Sequence, residues 1–310
     1  MNAQALHGIF PVFQTPFTAD EAIAFDQLER EIEWVTQQGV NGIVFGMVSE
    51  PLRLTDAERK SVIRTAARIA SDAGLPCIAS VGSESTMSAL SRIDDAIDAG
   101  ASALMATAPL HGRHDDVQLE EYFRALLRHS PVPIVVQDAS GYVGQQLSIE
   151  MQARLFYEFG DKVMFKPEAV PVRPTLERLL EATGGGARLF EGMGGGALME
   201  TYGLGISGSM PGSEVCWAVV AMWNALEAGD SAKAAAIHEP LSRMIAMQDE
   251  LDSFVVCEKY LLVEQQVLVD STARSPLGFS LTDADRRTLR TLLDQLHALV
   301  FGTPVAVLAR

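Results

Sequence analysis

Lys166 ends the apolar run Val163-Met164-Phe165, an uncommon setting because lysine is seldom buried without a partner. An amine desolvated at the end of a buried strand holds its proton less tightly, and a neutral amine attacks a ketone. The chemistry offered is a Schiff base with a 2-keto acid. Two blander arrangements fit the same residues: a lysine emerging into solvent, or one paired with Glu168. Glu168 follows two residues on, across Pro167. In extended chain, positions i and i+2 share a face, so carboxylate and amine fall side by side. A carboxylate so placed moves a proton at the carbon beside an imine or at a departing hydroxyl, or it is only an ion-pair partner.

Other candidates cluster in short loops. In Gly46-Met47-Val48-Ser49-Glu50, Ser49 and nearby backbone N–H groups suit a substrate carboxylate, whereas Glu50 suits tying down the loop. In Pro109-Leu110-His111-Gly112-Arg113-His114, an H-x-x-H pair without a third ligand is a weak metal signal. His111 fits a substrate hydroxyl contact or a proton shuttle, and equally a solvated loop. Gly192-Met193-Gly194-Gly195-Gly196-Ala197 formally fits G-x-G-x-x-A, but the next strand ends in Ser207-Gly208-Ser209-Met210-Pro211, without the acidic residue a dinucleotide site requires. A tight loop that lets a ligand approach the backbone at Gly192 is the better account.

These residues need a scaffold. Short apolar runs at 8–14, 42–46, 77–81, 103–107, 134–138, 163–166, 188–191 and 206–210 predict strands buried on both faces of a parallel sheet. Helical patterns lie between them: 26–38 carries Leu28, Ile32 and Val35, and 55–73 opens on a Thr55/Glu58 capping box. Eight βα units in strict order predict an α/β fold, a closed (β/α)8 TIM barrel over 1–228, ahead of an open doubly wound sheet. Helical segments near 214–228, 231–250, 254–269 and 282–300 follow, so 229–310 is expected to be a C-terminal helical extension packed on the barrel. Barrel active sites lie at the C-terminal strand ends. That rule gathers Lys166 and Glu168 as catalytic candidates, with Val48, Ser49, Ser83, His111, Gln137, Gly192, Ser207 and Ser209 around them for substrate.

Composition narrows the partners. The 310 residues are 48% hydrophobic and 21% charged, with a net charge of −16. Nucleic-acid phosphates and anionic membranes are repelled by such a chain, although a small anionic substrate answers to the local field. Cys77, Cys216 and Cys257 have no C-x-x-C spacing and are expected to be reduced core thiols. The start MNAQALHGIF has no leader pattern, and no apolar run reaches the ~18 residues that span a bilayer. A cytoplasmic protein is expected.

The ordered set of motifs resembles the dihydrodipicolinate synthase/N-acetylneuraminate lyase superfamily over almost the whole chain. It comprises Gly8-Ile9-Phe10-Pro11, Thr15-Pro16-Phe17, residues 46–50, Val81-Gly82-Ser83, Ser85-Thr86, Ala108-Pro109, residues 133–137, Lys166 and Arg274-Ser275-Pro276-Leu277. The resemblance implies a (β/α)8 barrel with three extra C-terminal helices, a homotetramer built as a dimer of dimers, and a Schiff-base lysine at Lys166. Met47 and Val48 stand where the synthase pattern has two threonines. Gln137 and His111 stand where it has tyrosines. The chain is most similar to the L-2-keto-3-deoxyarabonate dehydratase branch, through residues 8–12, Ser49-Glu50, His111-Gly112, residues 136–139 and 165–168, while Ser83 replaces that branch's histidine.

That branch implies dehydration. A protonated imine acidifies carbon 3, the resulting enamine expels the carbon-4 hydroxyl, and hydrolysis frees the product. No metal or organic cofactor is expected, since the lysine is the electron sink. The alternatives are a retro-aldolase releasing pyruvate from a 2-keto-3-deoxy sugar acid, a dihydrodipicolinate synthase-like activity, and a catalytically silent keto-acid-binding barrel. Loss of the fifth-strand tyrosine favours dehydration over aldol cleavage.

Overall fold

Runs such as Ile43-Val44-Phe45 and Ile134-Val135-Val136 are too short for helices and rich in β-branched residues, and each becomes a strand. A computed structural model describes residues 6–305. The outermost residues of the expected barrel and extension, 1–5 and 306–310, lie outside the described residues. The strands are β1 (Gly8–Ile9), β2 (Ile43–Phe45), β3 (Cys77–Ser80), β4 (Ala103–Thr107), β5 (Ile134–Asp138), β6 (Val163–Pro167), β7 (Phe190–Glu191) and β8 (Gly208–Ser209). Helices α1 (Phe25–Thr36), α2 (Asp56–Asp72), α3 (Thr86–Asp98), α4 (Asp116–His129), α5 (Ile149–Phe159), α6 (Val172–Ala182), α7 (Leu198–Thr201) and α8 (Cys216–Glu227) alternate with them.

All ladders are parallel. β2 through β6 form one run and β1-β8-β7 another. Bridges from Val12 to Val44 and Gly212, and from Phe165 to Leu189, join the two runs into a closed (β/α)8 barrel. The expected first strand, 8–14, is shorter than predicted because Pro11 has no N–H to give the ladder. The last two strands are also shorter, although Ser207 and Met210 still donate to Leu189 and Glu191.

Alternation along the strands sorts two cores. Ile43, Phe45, Leu104, Ala106, Ile134, Val136, Val163 and Phe165 pack outward under the helices. Val44, Ile78, Met105, Val135 and Met164 fill the barrel with Phe10, Phe190 and Met210. Two residues beyond Val135 and Met164, the same face presents Gln137 and Lys166, which are register partners.

Three further helices follow: α9 (Ser231–Ile245), α10 (Leu251–Glu264) and α11 (Asp283–Phe301). α9 ends five residues earlier than predicted, and α10 starts three earlier. α9 packs against α8 and α11, while α10 lies against the 47–49 turn after β2. The buried Lys259 ammonium on α10 is bonded to the Glu50 carboxylate and to the Thr272 carbonyl. Glu50 sits in left-handed backbone, φ 58°, between two helical turns. Arg53–Asp252 at 2.5 Å and Arg274–Glu58 at 2.8 Å add ties between the barrel and the extension at the same end.

Removing one partner of a buried pair strands a charge and costs about 3–5 kcal/mol. Lys259→Met is therefore expected to lower the urea-unfolding free energy by about that amount. A loss below about 1 kcal/mol would mean that the pair does not anchor α10.

Candidate active site

β6 carries Lys166 into the barrel mouth with 3% of its surface exposed, and Glu168 just past the strand is 1% exposed. The Glu168 N–H donates to the Asp138 carbonyl, so the extended course continues beyond Pro167. The Lys166 Nζ stands 3.0 Å from Glu168 Oε1. Gln137 Nε2, from β5, donates to Glu168 Oε2 at 2.6 Å. The expected side-by-side placement of amine and carboxylate is thus met by a third group that orients the carboxylate. Burial raises the Glu168 carboxyl above its ordinary pKa, and Lys166 and Gln137 partly oppose the shift.

A fourth member joins from the loop after β5. Tyr142, in the loop after β5, places its hydroxyl 3.3 Å from each Glu168 oxygen and 3.0 Å from Gln137 Nε2. Position 137 carries glutamine, and a phenol approaches Glu168 from five residues on. Burial and the Glu168 charge hold this phenol well above its usual pKa, so it remains a donor. Its ring packs on Phe254 of α10, with centroids 5.8 Å apart. The one available signal was an aromatic residue inside Gly141-Tyr142-Val143-Gly144 at a barrel mouth.

A small, partly open cavity opens onto this group. Met47 and Val48 wall it from the β2 loop, Gly192 and Gly194 from the β7 loop, and Leu251, Phe254 and Glu258 from α10. Gly192 is obligatory here: a Cβ on it would meet Glu168 Cγ at 2.6 Å and Lys166 Cε at 2.7 Å. The glycine-rich loop has a structural job as well. Buried Glu191 accepts N–H bonds from Met193, Gly195 and Ala197, a wrap that needs left-handed backbone at Gly194 and Gly195.

The other candidates divide. Val48 and Gly192 line the cavity with Lys166 and Glu168, and Gln137 touches Glu168. Ser49 does not line it: the residue is fully buried, with its hydroxyl donating to the Phe13 carbonyl and accepting from the Gly46 N–H. The Ser209 hydroxyl donates to Glu191, and the Ser207 N–H to Leu189. Ser83 and His111 lie on a separate cavity that shares only Met47 with the first. There the exposed His111 ring stands 3.4 Å from Glu84. Glu50, read as a loop tie, is bonded to Lys259.

A family model described as the dihydrodipicolinate synthetase family matches residues 5–296. Proteins named 4-hydroxy-tetrahydrodipicolinate synthase are similar along nearly the full length. The one from Methanothrix thermoacetophila is 28% identical, covering 94% of this chain and 97% of its own. The one from Chlorobaculum parvum is 27% identical, covering 96% and 99%. Two crystal structures share the fold. A dihydrodipicolinate synthase from Rhodopseudomonas palustris superposes with a TM-score of 0.86 at 24% identity, covering 96% of this chain and 99% of that one. A prophage protein of the dihydrodipicolinic acid synthase family from E. coli K12, in complex with pyruvate, gives 0.83 at 24% identity, covering 94% and 98%.

On the α10 side of the cavity three carboxyls crowd together, with Glu258 on its wall. Glu31 of α1 accepts from the Gln14 N–H and the Ser213 hydroxyl. Glu214 is buried with neither oxygen hydrogen-bonded. Glu258 accepts from the Gln14 amide. Burial drives all three upward, Glu31 to about 7, and their mutual repulsion adds to the shift of Glu214 and Glu258. Gln14 N–H, Ser213 and Lys259 oppose the Glu31 shift. A carboxyl whose folded pKa lies above its unfolded value stabilises the fold below the unfolded value, and that stability is lost as pH rises through the folded one. The unfolding free energy is therefore expected to fall from about pH 5 to 8, less steeply in Glu31→Gln. Urea titrations across that range check this, and equal slopes in the two proteins would refute it.

Proposed function

We propose, from the premise that this chain belongs to the dihydrodipicolinate synthetase family, that it is a Schiff-base carbon–oxygen lyase dehydrating a 2-keto-3-deoxy sugar acid such as L-2-keto-3-deoxyarabonate. The family is one of lyases and synthases, and Schiff-base chemistry is general to its superfamily. The observation that carries the reading is the buried Lys166 Nζ, 3.0 Å from Glu168 at the wall of a cavity in the barrel mouth.

The geometry supports each step. Lys166 adds to the 2-ketone and loses water to give a protonated imine, the sink for electrons from carbon 3. Glu168, oriented by Gln137 and raised by burial, is suited to take the carbon-3 proton. The enamine then expels the carbon-4 hydroxyl, and water releases the product from Lys166. Tyr142 supplies a neutral donor beside Glu168, able to hydrogen-bond a substrate oxygen. Met47 and Val48 offer no hydroxyls for the relay that the synthase pattern builds from two threonines.

Tyr142 also favours a second reading. A phenol hydrogen-bonded to a carboxylate can relay a proton from a carbon-4 hydroxyl, the step that starts retro-aldol release of pyruvate. Its raised pKa weighs towards donation and hence towards dehydration.

Borohydride reduction in the presence of pyruvate or a 2-keto-3-deoxypentonate is expected to fix one adduct on Lys166, located by peptide mass. No adduct with any keto acid would refute the imine. The product from the pentonate, a dehydrated keto acid or pyruvate, decides between the two lyases. Gly192→Ala pushes Lys166 and Glu168 from their places, and a misplacement of that size is expected to slow trapping by about 100-fold. Trapping at the parent rate would show that the loop yields without disturbing the pair.

A further inference from the structure

Dehydration through an enamine needs two proton-transfer groups, a base at carbon 3 and an acid at the departing oxygen. Glu168 and its partners occupy the β6 side of the cavity, and Glu258 lines the same cavity from α10. A carboxyl is unexpected on that helix face, since the surrounding Phe254, Val255, Cys257, Leu261 and Leu262 are buried and apolar. Gln14 donates to Glu258 Oε2. The other oxygen, Oε1, lies beside Gly212, a neighbour on the cavity wall, where a Cβ would approach it to 2.8 Å. Glu214 Oε2 closes on the same point from behind.

We infer that Glu258 is the general acid that protonates the departing carbon-4 hydroxyl, opposite Glu168 as the carbon-3 base; this assignment rests on the dehydratase reading above. The carbon-4–oxygen bond breaks as the enamine electrons form the carbon-3–carbon-4 double bond and restore the iminium. The Glu258 proton goes to the leaving oxygen, which departs as water. Glu258 is left as a carboxylate while Glu168 holds the proton taken from carbon 3. Exchange with solvent resets both groups, and a second water hydrolyses the imine.

The surroundings suit that role. Glu214 and Glu31 repel a charge on Glu258, while the Gln14 amide and Lys166 favour it. Tyr142 faces the same side and is raised in turn by Glu258. Burial and the two neighbouring carboxyls raise the Glu258 carboxyl, which favours its protonated form before the reaction and its reprotonation afterwards. Two carboxyls on one cavity thus hold different tasks because one faces an ammonium and the other faces carboxyls.

Glu258→Gln keeps size and can still accept from Gln14, but has no acidic proton. Three readouts divide the reaction: deuterium exchange into the pyruvate methyl group by NMR, conversion of 2-keto-3-deoxypentonate, and chloride release from 4-chloro-2-oxobutanoate, whose leaving group needs no acid. The variant is expected to lose about 10²- to 10⁴-fold in pentonate turnover. Exchange and chloride release are expected to stay within a few-fold of the parent. Unchanged pentonate turnover would overturn the assignment, and so would an equal loss in all three readouts, which marks a structural role. If Glu258→Gln does not fold, Glu258→Asp is put through the same partition. A parent enzyme that traps the keto acid but yields only pyruvate defeats the dehydratase reading and this assignment together. Dehydration by the parent with an unaffected variant defeats the assignment alone.

Discussion

The buried bond between Lys259 and Glu50 ties the C-terminal helices to the barrel, and the shape of the cavity depends on it. Lys259 is the next residue after Glu258 on α10, and Glu50 ends the turn that presents Met47 and Val48. This buried ion pair therefore links two walls of the cavity. Burying two charges is costly, and the pair is tolerated because each charge has its partner and Lys259 also reaches the Thr272 carbonyl.

Within that frame the site works by contrast between environments. Glu168 sits beside an ammonium and receives a Gln137 amide hydrogen bond. Glu258, on the opposite wall, has Glu214 and Glu31 behind it. Identical functional groups acquire different proton affinities from what surrounds them. The loops support the difference: the glycine-rich turn folds round Glu191 and brings Gly192 against Lys166 without a side chain to displace it.

The strands were legible because their signal is local. Eight short apolar runs, each followed by a helical pattern, required a parallel sheet, and period-two alternation put Gln137 and Lys166 on the face that becomes the barrel interior. The strand-end rule then gathered Lys166, Glu168, Val48 and Gly192, which line one cavity. It could not separate Ser49, whose hydroxyl is consumed by the Phe13 carbonyl, from residues that face the cavity. Nor could it place Ser83 and His111, which face a neighbouring cavity. Being at a strand end fixes a height in the barrel, and the direction of a side chain in the following loop depends on contacts far away in sequence.

The sequence by itself determined the barrel, the apolar strand that delivers Lys166, and the pairing of that lysine with Glu168 across Pro167. Each depends on dihedral and side-chain periodicities over fewer than about ten residues. The tertiary structure alone decided that the Tyr142 phenol reaches Gln137 and Glu168. It also decided that Glu258, more than 90 residues downstream of Lys166, closes the same cavity. Those placements depend on a loop folded against Glu168 and on a helix held by Glu50. Long-range pairing of charges leaves no periodic trace along the chain. The charged pair Glu258-Lys259 within the largely apolar stretch 254–263 was its visible mark.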